Sequence, residues 1–392
     1  MTSVRQVTAF CALAALAESL FYAAIAPLLP SLDRAFGLGH ALGGLLVATY
    51  SIGFTLGTYP AVVFTSRLGP RATMAGGLTC VAAGSLMFSG SSHIALLFAG
   101  RAIAGFGGAH FFTAAMALAV GYAGAANRGA TIGTFFSGYD AGSAAGPLLG
   151  TAAADFGRGP VFGVLAVVQV AVAGLTRLAP RITAEPRSDL RVILGHLRSE
   201  HVRVGLWITI LSQFAIGMLV VSGSYRIDEA GGSALTIAWA FVGLAVLSMI
   251  GEPIVGRISD ARGERPPIAV ALLMAVASLA YLIMVESRFA IVVLIAQGGA
   301  LLMLTATPGW ALLFDAVDNR GGSVGDASLL SNLFTGPAEA VGAVLAGLLH
   351  NAGGAGLSFG VLSSVSLVSV YVIYRDGRSG KSQLIGLSPA SE

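Results

Sequence analysis

Apolar runs of roughly 20 residues recur along the whole chain, about the length a helix needs to cross a bilayer core. Twelve such runs can be marked: 7–29, 40–65, 72–91, 94–120, 129–153, 160–176, 204–223, 234–256, 267–285, 289–314, 327–349 and 356–374. The first is too long in its apolar part for a signal peptide, and further spans follow it. The only long polar interruption is 177–203. The pattern predicts an all-α integral membrane protein of 12 transmembrane helices in two six-helix, pseudo-symmetric bundles, residues 1–176 and 204–375, with a linker at 177–203 and a tail at 376–392. Within the linker, Leu190, Ile193, Leu194 and Leu197 share one helical face opposite Arg191 and Arg198, and Ser188 or Asp189 stands where an N-cap would. That spacing suits a short amphipathic helix lying on the inner leaflet; a solvated linker with chance apolar spacing is the alternative.

Composition changes this picture only by strengthening it. Of 392 residues, 55% are hydrophobic and 10% charged, and the mean hydropathy is +0.82. Soluble domains carry about a quarter charged residues, so the outer solvent of this chain is lipid. The 53 glycines suit membrane helices, whose backbones approach closely where side chains are small. Cys11 and Cys80 both fall inside apolar runs and read as free thiols, not a disulfide or a metal pair.

The net charge of +3 acquires meaning from its distribution. If the N-terminus is cytoplasmic, only Arg34, Arg158, Arg226 and Arg288 fall outside, and Arg101 lies within a span; the other 17 of the 22 Lys and Arg residues fall inside. This bias predicts a multi-pass protein of the inner (plasma) membrane with both termini cytoplasmic. The basic charge is therefore topological, and nucleic acid is not an expected partner.

Half the chain apart, two basic, glycine-containing turns repeat. Between spans 8 and 9 the sequence reads Gly256-Arg257-Ile258-Ser259-Asp260-Ala261-Arg262-Gly263-Glu264-Arg265, and between spans 2 and 3 it reads Ser66-Arg67-Leu68-Gly69-Pro70-Arg71. Gly69 and Gly263 permit tight turns, and their recurrence argues for an internal duplication. In span 5, Gly142, Gly146 and Gly150 recur every four residues beside Pro147, a ridge for close packing with a bend in it. Such a helix suits either a moving interface between halves or static packing.

These segments resemble the signatures of the major facilitator superfamily. Gly-x-x-x-Asp-x-x-Gly-x-Arg from Gly256 to Arg265 is similar to the family's loop motif; the first copy is degraded, with Val62 in place of Gly and Ser66 in place of the acidic residue. The resemblance implies a gating role for Gly256, Asp260, Arg262, Gly263, Arg265, Arg67, Gly69 and Arg71, with the Asp and arginines latching the halves in one conformation. Arg101-Ala102-Ile103-Ala104-Gly105-Phe106-Gly107-Gly108 resembles a span-4 pattern associated with proton movement. Gly133, Gly142, Gly146, Pro147 and Gly150 fit a span-5 pattern of antiporter-type exporters. Glu18, Tyr22, Pro27 and Pro30 look like the first span of the 12-span drug/proton antiporters.

Ionisable groups at membrane depth are costly and so mark function. Glu18 lies about 18 Å into span 1 at 1.5 Å per residue, near the midplane; Asp140 in span 5 and Glu339 in span 11 sit at comparable depth. A carboxyl out of water holds a proton more readily and releases it when its cavity opens or a cation arrives. Glu18, Arg101 and Asp140 are thus the expected proton-coupling residues, with structural roles, glue for Glu18 and an Arg101 pair for Asp140, as alternatives. Tyr22, His110, Gln213, Gln297, Asn332 and Glu339 are candidates for the substrate cavity, His110 competing with a packed-core reading. Glu252, one turn before Gly256, belongs with the cytoplasmic gate.

No phosphate-binding glycine loop, zinc-protease motif or nucleophile elbow is present. The expected protein is not an enzyme and uses no cofactor or metal. It is a monomeric secondary transporter in the lipid bilayer that exports a small amphipathic or cationic molecule by proton antiport. Uptake or facilitated movement of a neutral metabolite is one alternative, and a transport-inactive sensor or assembly partner another.

Overall fold

The computed structural model describes residues 3–124, 127–182 and 190–385, and among them there is no strand. Helix α1 (Val4–Ala23) begins at a capping box, in which Ser3 and Gln6 satisfy each other's backbone N–H groups. It breaks at Ala24 and continues as α2 (Ile25–Phe36). The break has a cause in the sequence: Pro27 has no N–H to offer the carbonyl of Ala23, four residues back. After α3 (Gly39–Leu68) come α4 (Pro70–Ser89), α5 (Ile94–Ala123), α6 (Arg128–Phe156) and α7 (Arg158–Leu175), completing the first half.

The short α8 (Leu190–Gly195) leads into the second half, α9 (Glu200–Glu229), α10 (Ala234–Arg262), α11 (Arg265–Met284), α12 (Arg288–Met303), α13 (Ala306–Asp318) and α14 (Val324–Ile385). Pro308 withholds an N–H from the Leu304 carbonyl where α12 gives way to α13, the same device as at Pro27. Helix α14 is two arms, broken where Gly353 and Gly354 leave helical geometry, the latter at φ +72°.

Ten segments are long and apolar enough to cross a membrane. One of them, Gly325–Arg375, contains the Gly353–Gly354 break and crosses twice. The more polar α6 packs against α1 and α10 and makes the twelfth crossing. The expected 12 helices in two six-helix bundles are the observed fold. Large apolar side chains such as Val167, Ile250 and Met284 stand exposed on its outside, a surface for lipid.

Several expected boundaries shift. Arg67 lies in the last turn of α3, and Gly256, Asp260 and Arg262 lie within α10. The expected loops shrink to the glycines: Gly69 at φ +84° and Gly263 at φ +79°. Each glycine N–H closes its helix on a carbonyl four residues back, Thr65 at 3.1 Å and Ser259 at 2.8 Å. Helices α3 and α10 run on past their apolar spans because only the left-handed glycine ends them. Helix α8 does not simply lie on lipid. Ile193 is buried and Leu197 packs with it against Leu206, Leu313 and Val317 of the second half, while Leu194 is exposed. Its expected caps Ser188 and Asp189 lie outside the described residues. The helix at 355–385 continues past the expected tail boundary of 375; residues 386–392 are outside the described set.

The halves are joined along α3 and the first arm of α14, which run antiparallel. Gly347 lies against the His40 carbonyl, Gly44 against the Ala343 carbonyl, and Gly336 against Ser51 and Thr55. Further fastenings sit at the end where α2 turns into α3. Arg34 Nη1 contacts both oxygens of Asp228 at 3.0 and 2.8 Å, His40 Nδ1–H donates to Asn351 Oδ1 at 2.9 Å, and Thr151 Oγ1–H donates to the Ala234 carbonyl at 3.3 Å. The molecule is closed at the end where these fastenings sit and open at the opposite, basic end, which carries Gly69 and Gly263 and where Arg67, Asp260 and Arg262 stand exposed.

Candidate functional site

Where the halves part, four helices of the first half and one of the second deliver polar side chains to one place. Glu18 on α1 is buried and accepts a short hydrogen bond from the Tyr50 hydroxyl on α3. One turn along α1, Tyr22 donates to Glu339 Oε1 on α14 at 2.6 Å, a bond between the halves. The Tyr22 and Tyr50 rings lie 5.0 Å apart at 48°, so the two tyrosine–glutamate pairs form one cluster. Tyr139 on α6 stands within electrostatic reach of both carboxyls.

Arg101 on α5 completes the cluster. It is 1% exposed, and Nη1 donates to the carbonyls of Phe21 at 3.5 Å and Tyr22 at 3.3 Å. These carbonyls belong to the last turn of α1, where the break before Pro27 leaves carbonyls without helical partners and the helix dipole is negative. The guanidinium also stands over the ring of Tyr50, 5.0 Å from its centroid, and over Phe21 at 5.7 Å, a favourable placement for a desolvated cation. Glu18 and Glu339 are both within its electrostatic reach, although no carboxylate among the described residues comes within ion-pair distance of it.

The glycines of the span-4 motif make this arrangement possible. A Cβ on Gly108 would lie 2.5 Å from the Tyr50 hydroxyl and 2.8 Å from Glu18 Oε1; Gly105 sits against the backbone of Tyr50, and Gly107 against Gly77 and Cys80. The motif clears room on one side for the Glu18–Tyr50 pair and on the other for close packing of α4.

The structure thus gathers Glu18, Tyr22, Arg101 and Glu339, four of the residues the sequence singled out, and adds Tyr50 and Tyr139, which it did not. Tyr50 is the eleventh residue of the apolar span 40–65, a polar-tipped ring near midplane depth, and that depth was the available signal. Asn332 is two turns along α14 toward the open end, on the Glu339 face, and is half-buried. Gln213 is half-buried one turn from Gly217, which packs on the Glu339 backbone. Asp140 is half-buried and faces α10, within electrostatic reach of Glu252. None of Asn332, Gln213 and Asp140 makes a hydrogen bond among the described residues.

Two expected cavity residues lie apart. His110 Nδ1–H donates to the Phe106 carbonyl at 2.8 Å in its own helix, and its ring lies 4.4 Å from Phe106 and 5.5 Å from Phe64; it is a packed histidine. Gln297 is exposed on the face of α12 that carries Phe289 and Val293. The expected pair between Asp140 and Arg101 does not form.

The span-5 ridge also needs correction. A Cβ on Gly142, Gly146 or Gly150 would strike Leu16, Ala23 or Ala24, all in or at the end of α1. Gly138, which the motif does not include, continues the ridge against Ala12, whereas Gly133 faces open space. The ridge is static packing within the first half, because only small residues let α6 and α1 come so close; Pro147 sits inside an unbroken α6. Of the expected gate, Arg67, Asp260 and Arg262 are exposed at the open end, and Gly256 has open space around it. Arg71 reaches the Ala179 carbonyl at 3.5 Å. Arg265 borders a recess of about 300 Å³ with His201, Asp315 and Arg320.

A twelve-helix bundle in two halves, closed at one end around a buried charged cluster, defines a polytopic membrane transporter fold. The chain belongs to the Major Facilitator Superfamily, whose profile matches residues 11–337, and it is therefore classed with membrane transporters and not with enzymes. It is 30% identical over 162 residues to the MFS-type transporter ppzB of Metarhizium majus (strain ARSEF 297). That stretch is 40% of this chain and 35% of the fungal protein, so the match spans about a third of the relative's length. Two crystal structures of a bacterial homologue to the human lysosomal transporter Spinster share the fold at 14% identity. The inward-facing, occupied form superposes with a TM-score of 0.78, over 95% of this chain and 97% of that one. The inward-facing, unoccupied form gives 0.76 over 95% of each.

Proposed function

We propose that this protein is a secondary active transporter that works by alternating access and exports a small amphipathic or cationic molecule in exchange for protons. The observation that carries this reading is the charge inventory of the midplane cluster. One buried cation, Arg101, has two carboxyls, Glu18 and Glu339, within electrostatic reach. With both ionised, one negative charge is left over in a medium that penalises it. A proton on either carboxyl removes the excess, and so does a cationic cargo. Two occupants that satisfy the same charge exclude each other, which is what antiport requires. The carboxyls belong to opposite halves, so their charge state acts directly on how the halves engage.

Orientation follows from the positive-inside bias: the end bearing Gly69 and Gly263 is cytoplasmic, as are both termini, and the membrane is the inner (plasma) membrane. The open end is then the inward side, the state named for the Spinster homologue. Cargo enters past Asn332, Gln213 and Asp140, whose polar groups make no hydrogen bond among the described residues, and Asp140 relays protons between that opening and the cluster. Asp260, with the arginines of its motif, holds the opposite state, when the basic end closes.

The test is flux in proteoliposomes under an imposed pH gradient, across a panel of amphipathic cations and neutral metabolites. Proton-driven movement of a cation is expected in the wild type and absent in Glu18→Gln and Glu339→Gln at equal reconstitution. Full coupling retained in both variants, or flux of neutral compounds indifferent to the gradient, sinks the proposal.

A further inference from the structure

At the closed end, three metal-ligating side chains from three helices converge across the boundary between the halves. His40 comes from α3 in the first half; Glu229 from α9 and His350 from α14 come from the second. One ligand atom from each lies within 4.8 Å of the other two. The His40 and His350 rings are 4.2 Å apart at 39°.

The hydrogen bonds fix which nitrogens face an ion. His40 donates from Nδ1 to the Asn351 oxygen at 2.9 Å, which leaves Nε2 as its bare nitrogen. A histidine whose second nitrogen is held by an oxygen acceptor is the usual supported metal ligand. His350 Nε2 and Glu229 Oε1 lie 2.7 Å apart across one shared proton, and His350 is 4% exposed. An ion bound by both atoms takes the place of that proton, which moves to Nδ1 of the neutral ring. The edge of Tyr225, 4.4 Å from the His40 ring, holds that ring in place.

We propose that His40, Glu229 and His350 form a site for a divalent transition-metal ion of the zinc class, one that exists only while the two halves are together at this end. Two imidazoles and one carboxylate suit zinc and leave a further position open; they do not suit magnesium or calcium, which prefer all-oxygen shells. His40 belongs to one half and Glu229 and His350 to the other, so an ion bound by all three ties the halves together. The ion then acts as a clasp on the closed end, and by mass action it favours the state that binds it. The clasp's effect on cycling rests on the alternating-access reading; the binding itself does not.

Full-length protein in nanodiscs, freed of metal, is titrated with Zn²⁺ by calorimetry. In parallel, spin labels on the α2–α3 and α9–α10 turns report the distance across the closed end. Wild type is expected to bind one Zn²⁺ per chain. His40→Gln, His350→Gln and Glu229→Gln should each weaken it by more than about tenfold, the lower bound that outer-shell partners alone set. Metal-free melting temperatures establish that each variant is folded, and excess Mg²⁺ should not compete. Zn²⁺ should narrow the spread of label distances in wild type only. Undiminished binding in both histidine variants overturns the site. Histidine-dependent binding with an unchanged spread of label distances overturns the clasp. Failure of proton-driven flux with both zinc results intact strikes at the transport reading alone.

Discussion

The Tyr22 hydroxyl donates to Glu339 Oε1 at 2.6 Å, joining the first half to the second in the middle of the membrane. Because the same glutamate lies within electrostatic reach of Arg101, this bond ties the engagement of the halves to the charge of the cluster. A hydrogen bond to a charged group contributes about 1.5–3 kcal/mol. Tyr22→Phe is therefore expected to shift the balance away from the closed state at the α2–α3 end. Accessibility of a single cysteine placed at that end, measured with a membrane-impermeant thiol reagent, should rise by about tenfold at the lower end of that range. An unchanged labelling rate removes Tyr22 as the tether.

Gly108 gives a test of the cluster that removes no charge. Its Cβ would stand 2.5 Å from the Tyr50 hydroxyl and 2.8 Å from Glu18 Oε1, while a Cβ on Gly133 meets nothing within 4 Å. Overpacking of this kind costs about 1–3 kcal/mol. Gly108→Ala should lose proton-driven flux as Glu18→Gln does, and Gly133→Ala should keep it. Equal flux in the two alanine variants contradicts the assigned role of Gly108.

The Arg34–Asp228 pair fastens the closed end, but its side chains are 66% and 27% exposed. Such a pair is worth only about 0.2–1 kcal/mol and is screened by salt. Arg34→Ala should open that end modestly, by less than about fivefold in labelling rate at the 1 kcal/mol limit. Raised ionic strength should mimic it in the wild type, and the charge-swapped double variant Arg34→Asp/Asp228→Arg should restore closure. A change of tenfold or more from Arg34→Ala alone would show that the pair does more than an exposed ion pair can.

Asp260 is exposed at the open end, without an ion pair among the described residues. Replacing it with Asn should leave the open basic end as it is and weaken only the state in which that end closes. Cysteine labelling from the basic side should therefore increase, with thermal stability unchanged. A shift in the opposite direction would remove the gating assignment.

Packing of α6 on α1 supplies a stability prediction. The Gly142 position lies against Leu16 and Ser19, and Gly146 lies against Ala23. Gly142→Leu should lower the melting temperature of detergent-solubilised protein and reduce expression, whereas Gly163→Leu, with open space around it, should do neither. Equal stability of the two would mean that α6 and α1 separate freely.

What could be read from the sequence was whatever depends on solvent and on single-residue geometry. Apolar run length and basic residue placement marked 12 spans because lipid tolerates neither charges nor unpaired backbone. Gly69 and Gly263 marked turns because left-handed backbone favours glycine. Glu18, Arg101 and Glu339 stood out because charge at membrane depth is expensive. Tertiary structure decided what each of these touches. Helical periodicity gives a face but not the neighbour on it, so the span-5 ridge fitted a moving interface as well as its actual seat on α1. The depth of His110 resembled that of a cavity residue, but the rings of Phe64 and Phe106 enclose it. Tyr50 drew no notice because a tyrosine in an apolar run carries no formal charge; the Glu18 carboxyl beside it gives it its place. His40, Glu229 and His350 are separated by 189 and 121 positions, and no local pattern links such distant residues. Glu229 and His350 meet through packing within the second half, and His40 joins them because the two halves close on one another at that end.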